Sequence, residues 1–87
     1  MVKLFYTNPA LEDLKNIHDY IAADSPKAAK RFTSALKEKI KILKNYPKLG
    51  RPIYPDKFEN LRQVLYKSYR IIYQLKDDTV FIITIHH

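Results

Sequence analysis

The side chains able to do chemistry in this chain are cations, tyrosines and three histidines. Arg62 and Arg70 fall in strand-like stretches, and His86 and His87 follow the run Val80-Phe81-Ile82-Ile83-Thr84-Ile85. Imidazole has a reference pKa of about 6.5, so it acts as acid or base near neutrality. Arginine and lysine stabilise phosphorane charge, and tyrosines stack on bases. That set suits binding and cleaving a phosphodiester; it suits non-catalytic docking on a nucleic-acid machine equally well. Arg70, His86 and Arg62 are therefore the candidate catalytic residues. Lys30, Lys37, Lys41 and Lys44, with Arg51 and His87, are the candidate residues for binding a nucleic acid or other target.

Other chemistries lack their residues. With no cysteine there is no disulfide framework, thiolate nucleophile or Cys-based zinc site. One glycine cannot build a phosphate-binding glycine loop. Asp77 and Asp78 sit in a turn, Glu59 stands alone, and no paired-carboxylate site emerges. Ser25 reads as a helix cap, while Ser34 and Ser68 have no nucleophile signature around them. His18 lies at the edge of an apolar helical stripe and reads as a packing or interface residue. A histidine pair without a third ligand does not make a metal site, so neither metal nor cofactor is expected.

The elements that must carry these residues follow from periodicity. Val2 to Tyr6 reads as a strand. Asn8 and Pro9 then supply a cap and a first helical residue. Ala10, Leu11, Leu14, Ile17 and Ile21 share one side of a helix to about Ala23. Ser25-Pro26 repeats the start signal for a second helix running to about Tyr46 and stopping before Pro47. Its apolar stripe is Ala29, Phe32, Leu36, Ile40 and Leu43. Lys30, Lys37, Lys41 and Lys44 lie opposite, within roughly 60° of one another. A proline-punctuated loop from Tyr46 to Pro55 follows, stiff in character. Leu61–Tyr66, Tyr69–Leu75 and Val80–His86 read as strands of an antiparallel meander, with Lys76 to Thr79 as a turn. Alternation puts Arg70, Ile72 and Gln74 on one face of their strand. It groups Val80, Ile82, Thr84 and His86 on one face of the last.

The expected architecture is α+β in the order β-α-α-β-β-β: a helical hairpin on one face of an antiparallel sheet, with function on the other. Eighty-seven residues make one domain, 1–87. Sixteen Lys and Arg against nine Asp and Glu give a net charge of +7, which favours polyanions or an acidic protein partner. No apolar run approaches the ~18 residues of a membrane span and no signal-peptide pattern is present, so a cytoplasmic protein is expected.

In this order and spacing the residues resemble the RelE/ParE toxin superfamily of type II toxin–antitoxin systems, which includes plasmid stabilisation proteins. The matching pieces are Ala10-Leu11-Glu12-Asp13-Leu14, Ile17-His18-Asp19-Tyr20-Ile21-Ala22, Ser25-Pro26 with Arg31-Phe32, and Gly50-Arg51-Pro52. Leu61-Arg62, Tyr69-Arg70-Ile71-Ile72-Tyr73 and Ile83-Thr84-Ile85-His86 complete the set. The resemblance implies a growth-inhibiting toxin neutralised by a small antitoxin, as a homodimer or a toxin–antitoxin hetero-oligomer. It implies one of two targets: RelE-like members cleave mRNA in the ribosomal A site, and ParE-like members act on DNA gyrase without an established catalytic site. Arg70 matches the family arginine that belongs to the active site of RelE-like nucleases. His86 matches the histidine near the end of ParE-like chains, and Arg62 a widespread arginine. Relatives usually add arginines after that histidine, whereas this sequence ends at His87. The alternative expectation is therefore a decayed, non-catalytic toxin-fold module binding antitoxin or nucleic acid.

Overall fold

A computed structural model describes residues 2–54, 57 and 60–87; Pro55 of the proline-rich loop and Glu59 lie outside them. Strand β1 (Lys3–Tyr6) leads into helix α1 (Asn8–Ala22) and then α2 (Pro26–Lys41). Four strands follow: β2 (Arg51–Pro52), β3 (Leu61–Tyr66), β4 (Tyr69–Lys76) and β5 (Thr79–His86). They form one five-stranded sheet in the order β1-β5-β4-β3-β2. The expected α+β architecture is present, with two refinements. Arg51–Pro52 adds a short edge strand against Arg62 and Gln63. β1 pairs with β5 in parallel: the α1–α2 hairpin carries the chain across to β2 at the far edge, and the antiparallel meander from β2 to β5 brings it back beside β1.

Both helices begin as the Pro-containing start signals require, but α1 is capped by Thr7 rather than Asn8. The Thr7 hydroxyl accepts from Ala10 N at 3.3 Å and also shares its proton with the carbonyls of Ile82 (2.8 Å) and Ile83 (3.0 Å). A cap that also ties the helix start to β5 outcompetes one that faces solvent. Ser25 caps α2, accepting from Ala28 N at 3.1 Å. α2 stops at Lys41, earlier than Pro47 demands, and tightens into a 3-10 turn over Ile42–Lys44.

The core lies between the helices and one sheet face. Ala29, Leu36, Ile40 and Leu43 from α2 and its turn are buried, as are Ala10, Leu14 and Ile17 from α1. The sheet contributes Ile71, Tyr73, Val80, Ile82 and Ile85. Phe32 stays partly exposed, with its ring 5.7 Å and 5.5 Å from those of Tyr66 and Tyr69. Leu11, expected on the buried stripe, is 50% exposed.

Strict alternation fails in β5. Tyr73 faces Ile82 and Ile72 faces Thr84, so Ile83 is an extra residue in a bulge. The bulge resets the facing: Val80 and Ile82 point at the helices, and so does Ile85, three residues later. The grouping of Val80, Ile82, Thr84 and His86 on one face is thereby overturned. His86 instead opposes Arg70.

Candidate functional site

Opposed residues in neighbouring antiparallel strands share a face, with Cβ atoms about 4.5–5.5 Å apart. On the face away from the helices, Leu65, Arg70 and His86 form one row across β3, β4 and β5. All three are exposed. In the next row Arg51 opposes Gln63, which opposes Ile72. Oriented by these bonds, the Gln63 amide oxygen accepts from Arg51 Nε at 3.2 Å and Nη2 at 3.3 Å. Further along, Phe81 opposes Gln74 and meets the Phe5 ring edge-on at 5.7 Å. The face therefore holds two guanidiniums and an imidazole among exposed apolar side chains: Phe5 is 54% exposed and Leu65 58%.

His86 owes its position to α1. Beyond Ile82, β1 no longer covers the outer edge of β5, and Asp13 takes over. Its Oδ2 accepts from the Ile85 amide at 2.9 Å and the Thr84 hydroxyl at 2.6 Å. With Thr7 on the carbonyls of Ile82 and Ile83, the first turns of α1 hold the outer edge of β5 along the whole bulge. Asp13 was missed from sequence because helical periodicity places it among solvent-facing polar residues. Only the topology shows it a strand edge to satisfy.

The remaining expected site residues disperse. Arg62 opposes Tyr73, so it points to the helix side, away from Arg70. There its Nη1 donates to Gly50 O at 2.7 Å and, more weakly, to Lys48 O at 3.4 Å. The Tyr73 hydroxyl accepts from Gly50 N and donates to Pro47 O, each at 2.8 Å. Burial pushes the Tyr73 phenol above its ordinary pKa, outweighing the Gly50 hydrogen bond and nearby Arg62, which pull it down. Arg62 and Tyr73 thus pin the Pro47–Gly50 loop that leads into Arg51. Among the described residues Arg62 Nε is buried without a hydrogen-bond partner, while Nη1 carries the bond to Gly50.

The terminal histidines part company. His87 meets the Tyr69 ring edge-on at 5.0 Å and lines a groove of about 460 Å³ with Asp13, Asn16, Ile17, Tyr20 and Ile85. His86 alone stands beside Arg70. Lys30, Lys37 and Lys41 are exposed on α2 and Lys44 is half-exposed on the following turn; Lys37 lines a groove with Tyr6, Leu11 and His18. His18 is half-exposed, its Nδ1 3.4 Å from Asp19 Oδ1. A hydrogen bond from Lys15, then one from His18, holds the Asp19 carboxyl below its usual range. Among the described residues no group of three or more His, Asp or Glu is arranged to hold a metal ion. No helix there is long and apolar enough to cross a membrane.

A helical hairpin on one face of a small, mostly antiparallel sheet, with cations on the open face, defines the RelE/ParE class of fold. Comparison with known proteins gives the family. The model for the ParE toxin of the type II toxin–antitoxin system parDE matches residues 4–87. The chain belongs to the ParE toxin family. It is 38% identical to Toxin RelE2 of Caulobacter vibrioides over 88 residues, covering 100% of this chain and 96% of the relative. Its fold is similar to a solved chain of the chromosomal ParDE toxin–antitoxin system of P. aeruginosa, with a TM-score of 0.82 at 23% identity. That match covers 100% of this chain and 96% of the other. A chain of the RelBE2 toxin–antitoxin complex of Mycobacterium tuberculosis aligns with a TM-score of 0.71 at 23% identity, covering 99% and 96%.

Proposed function

We propose that this protein inhibits growth as the toxin of a type II pair, is neutralised by a small antitoxin, and meets its target through the open sheet face bearing Arg70 and His86. The observation that carries this reading is the direct opposition of Arg70 and His86 across β4 and β5. An antitoxin finds apolar anchors on the same face, in Phe5, Leu65 and Phe81, flanked by cations that complement an acidic chain.

Between the two targets the geometry favours DNA gyrase over ribosome-bound mRNA. Phosphodiester cleavage needs several cations converging on the charge that develops. Only Arg70 stands in the row with His86, Arg51 is engaged by Gln63, and Arg62 is turned to the other side. The mRNA-cleaving reading keeps one support, a histidine beside an arginine. Two measurements test these readings. Expression of the chain alone should arrest growth, and co-expression of a small antitoxin encoded beside it should restore growth and give a purifiable complex. Purified protein should then cause gyrase-dependent DNA breaks while leaving mRNA intact in a translation extract. A-site cleavage without DNA breaks would reverse the target assignment. Normal growth on expression of the native chain would leave the decayed, non-catalytic module as the correct description, whereas normal growth with Arg70→Ala alone is the result expected of the proposed face.

A further inference from the structure

We infer that the groove between α1 and the ends of β4 and β5 is a receptor site for one guanidinium group, the arginine side chain of a partner protein. Asp13, Asn16, Ile17 and Tyr20 have the i, i+3, i+4, i+7 spacing of a single helical stripe on α1. Tyr69, which opens β4, and His87, which follows β5, line the groove from the sheet side, and its volume is about 460 Å³. Ile17 is the buried member of the stripe, whereas Tyr20 is 80% exposed. The Tyr69 ring is packed against two others, Phe32 at 5.5 Å and His87 at 5.0 Å, so that wall is held in place.

Charge selects the ligand. The chain carries sixteen Lys and Arg against nine Asp and Glu, yet this groove is lined by one carboxylate and by no Lys or Arg. Asp13 is half-buried, and its Oδ2 is held by neutral donors alone, the Ile85 amide and the Thr84 hydroxyl. It forms no ion pair among the described residues, where those found join Lys15 and His18 to Asp19. Neutral hydrogen bonds orient a carboxylate without cancelling its charge, and a charge drawn partly out of water is stabilised by a cation set against it. The walls agree, because the faces of tyrosine rings attract cations. Asp13 Oδ1 and the Asn16 amide oxygen accept no hydrogen bond among the described residues, which leaves two acceptors for a cation with several donors. A guanidinium brings five donors on a plane that stacks on rings, whereas an ammonium is a strongly hydrated point charge. A nucleotide base would stack on the same rings, but its phosphate would meet Asp13 and no cation. Tyrosine and arginine are the residues that anchor protein interfaces, and Tyr20 stands exposed at the rim as such an anchor.

The test is an NMR titration of the labelled chain with N-acetyl-arginine N-methylamide, which presents the side chain as a peptide does. Salt of about 0.15 M screens the field of the rest of the molecule beyond ~8 Å. Binding with a dissociation constant on the order of 1 mM is expected for so small a ligand. Shifts should centre on Asn16, Tyr20, Tyr69 and His87, and ring currents should move the ligand's δ-methylene signal upfield. The matching lysine derivative should bind more weakly, and the citrulline derivative, the same shape without the charge, at least about tenfold more weakly. Tyr20→Ala removes one exposed ring and should weaken binding about 2–5-fold. Asp13→Asn keeps an oxygen for Ile85 and Thr84 but loses the charge, and should weaken binding by about tenfold or more. Circular dichroism confirms folding, and Tyr20→Ala with the citrulline control carries the test should the Asn variant unfold. No binding up to ~50 mM would overturn the inference, as would citrulline binding as tightly as arginine. Uridine monophosphate binding the groove more tightly, and more tightly still in Asp13→Asn, would make it a nucleotide site instead. Free L-arginine binding more tightly than the blocked form would overturn the assignment to a partner protein. None of these readouts involves growth, so the result is independent of the toxin reading.

Discussion

Tyr73→Phe removes one oxygen from a buried ring and keeps its shape. That oxygen accepts from Gly50 N and donates to Pro47 O, each at 2.8 Å, and nothing else in the described residues replaces it for either partner. A typical hydrogen bond contributes about 1 kcal/mol net, and leaving a buried partner unsatisfied raises the cost to about 1–3 kcal/mol. Gly50 is buried and Pro47 half-buried, so only the Gly50 donor carries the full penalty. The sum is about 2–3 kcal/mol. For a domain of this size each kcal/mol lowers the melting midpoint by about 4–8 °C, so a fall of roughly 10–20 °C is expected. Thermal unfolding by circular dichroism at pH 7.5 measures it. Amide exchange at Gly50 reports the loop locally and should quicken more than exchange at Ile71, which shares β4 with Tyr73. A midpoint within about 2 °C of the native chain, with Gly50 still protected, would refute the idea that the phenol pins the loop.

Gly50→Ala should destabilise by about 1–3 kcal/mol, because its Cβ would stand 2.6 Å from the Gln63 carbonyl and 2.7 Å from the Tyr73 ring; urea unfolding reads the change. Asp13→Ala frees the Ile85 amide and the Thr84 hydroxyl, so exchange at Ile85 should accelerate and growth inhibition weaken while α1 remains helical. Burial raises the pKa of Tyr73 and of Tyr6, so above pH ~10 the unfolded chain loses these protons while the folded chain keeps them. Stability should therefore fall as pH rises past ~10, and the native chain's advantage over Tyr73→Phe should shrink there; urea midpoints from pH 8 to 11 test the sign. Deleting Ile83 removes the extra residue without shifting Thr84 from Ile72 or His86 from Arg70, so the chain should still fold. A His86 NMR signal indifferent to Arg70→Ala in that variant would contradict this register.

Most of the architecture is legible in the residues because local signals agree with burial. Ser25-Pro26 caps and opens α2, and the stripe Ala29, Leu36, Ile40 and Leu43 is the face that is buried. Tyr69 to Lys76 alternates as read, with Ile71 and Tyr73 inside and Arg70 outside. What escaped needs contacts remote in sequence. Thr7 and Asn8 are equivalent as caps until the carbonyls of Ile82 and Ile83 select Thr7. The run Ile82-Ile83-Thr84-Ile85 is β-branched throughout, so its composition gives no phase and conceals the bulge. Arg62 looks like Arg70 in a one-dimensional pattern. Only the register, Arg62 against Tyr73 and Arg70 against His86, separates a loop clamp from a surface cation.

The two members of the candidate site are consequently held by different means. Arg70 sits in a β-ladder paired on both sides, with Leu65 and His86 as its neighbours. His86 lies past the bulge, where the outer edge of β5 depends on Asp13 and Thr7 instead of a strand. Ladder hydrogen bonds next to the core open only with the whole domain, whereas an edge held by two side chains opens locally at smaller cost. Perturbing the first turns of α1 therefore displaces the histidine and leaves the arginine in place. The link runs both ways: a ligand or antitoxin that fixes His86 also stabilises the α1–β5 junction. An activity that needs both residues is then more sensitive to Asp13 and Thr7, which lie outside the open face, than to most residues on it.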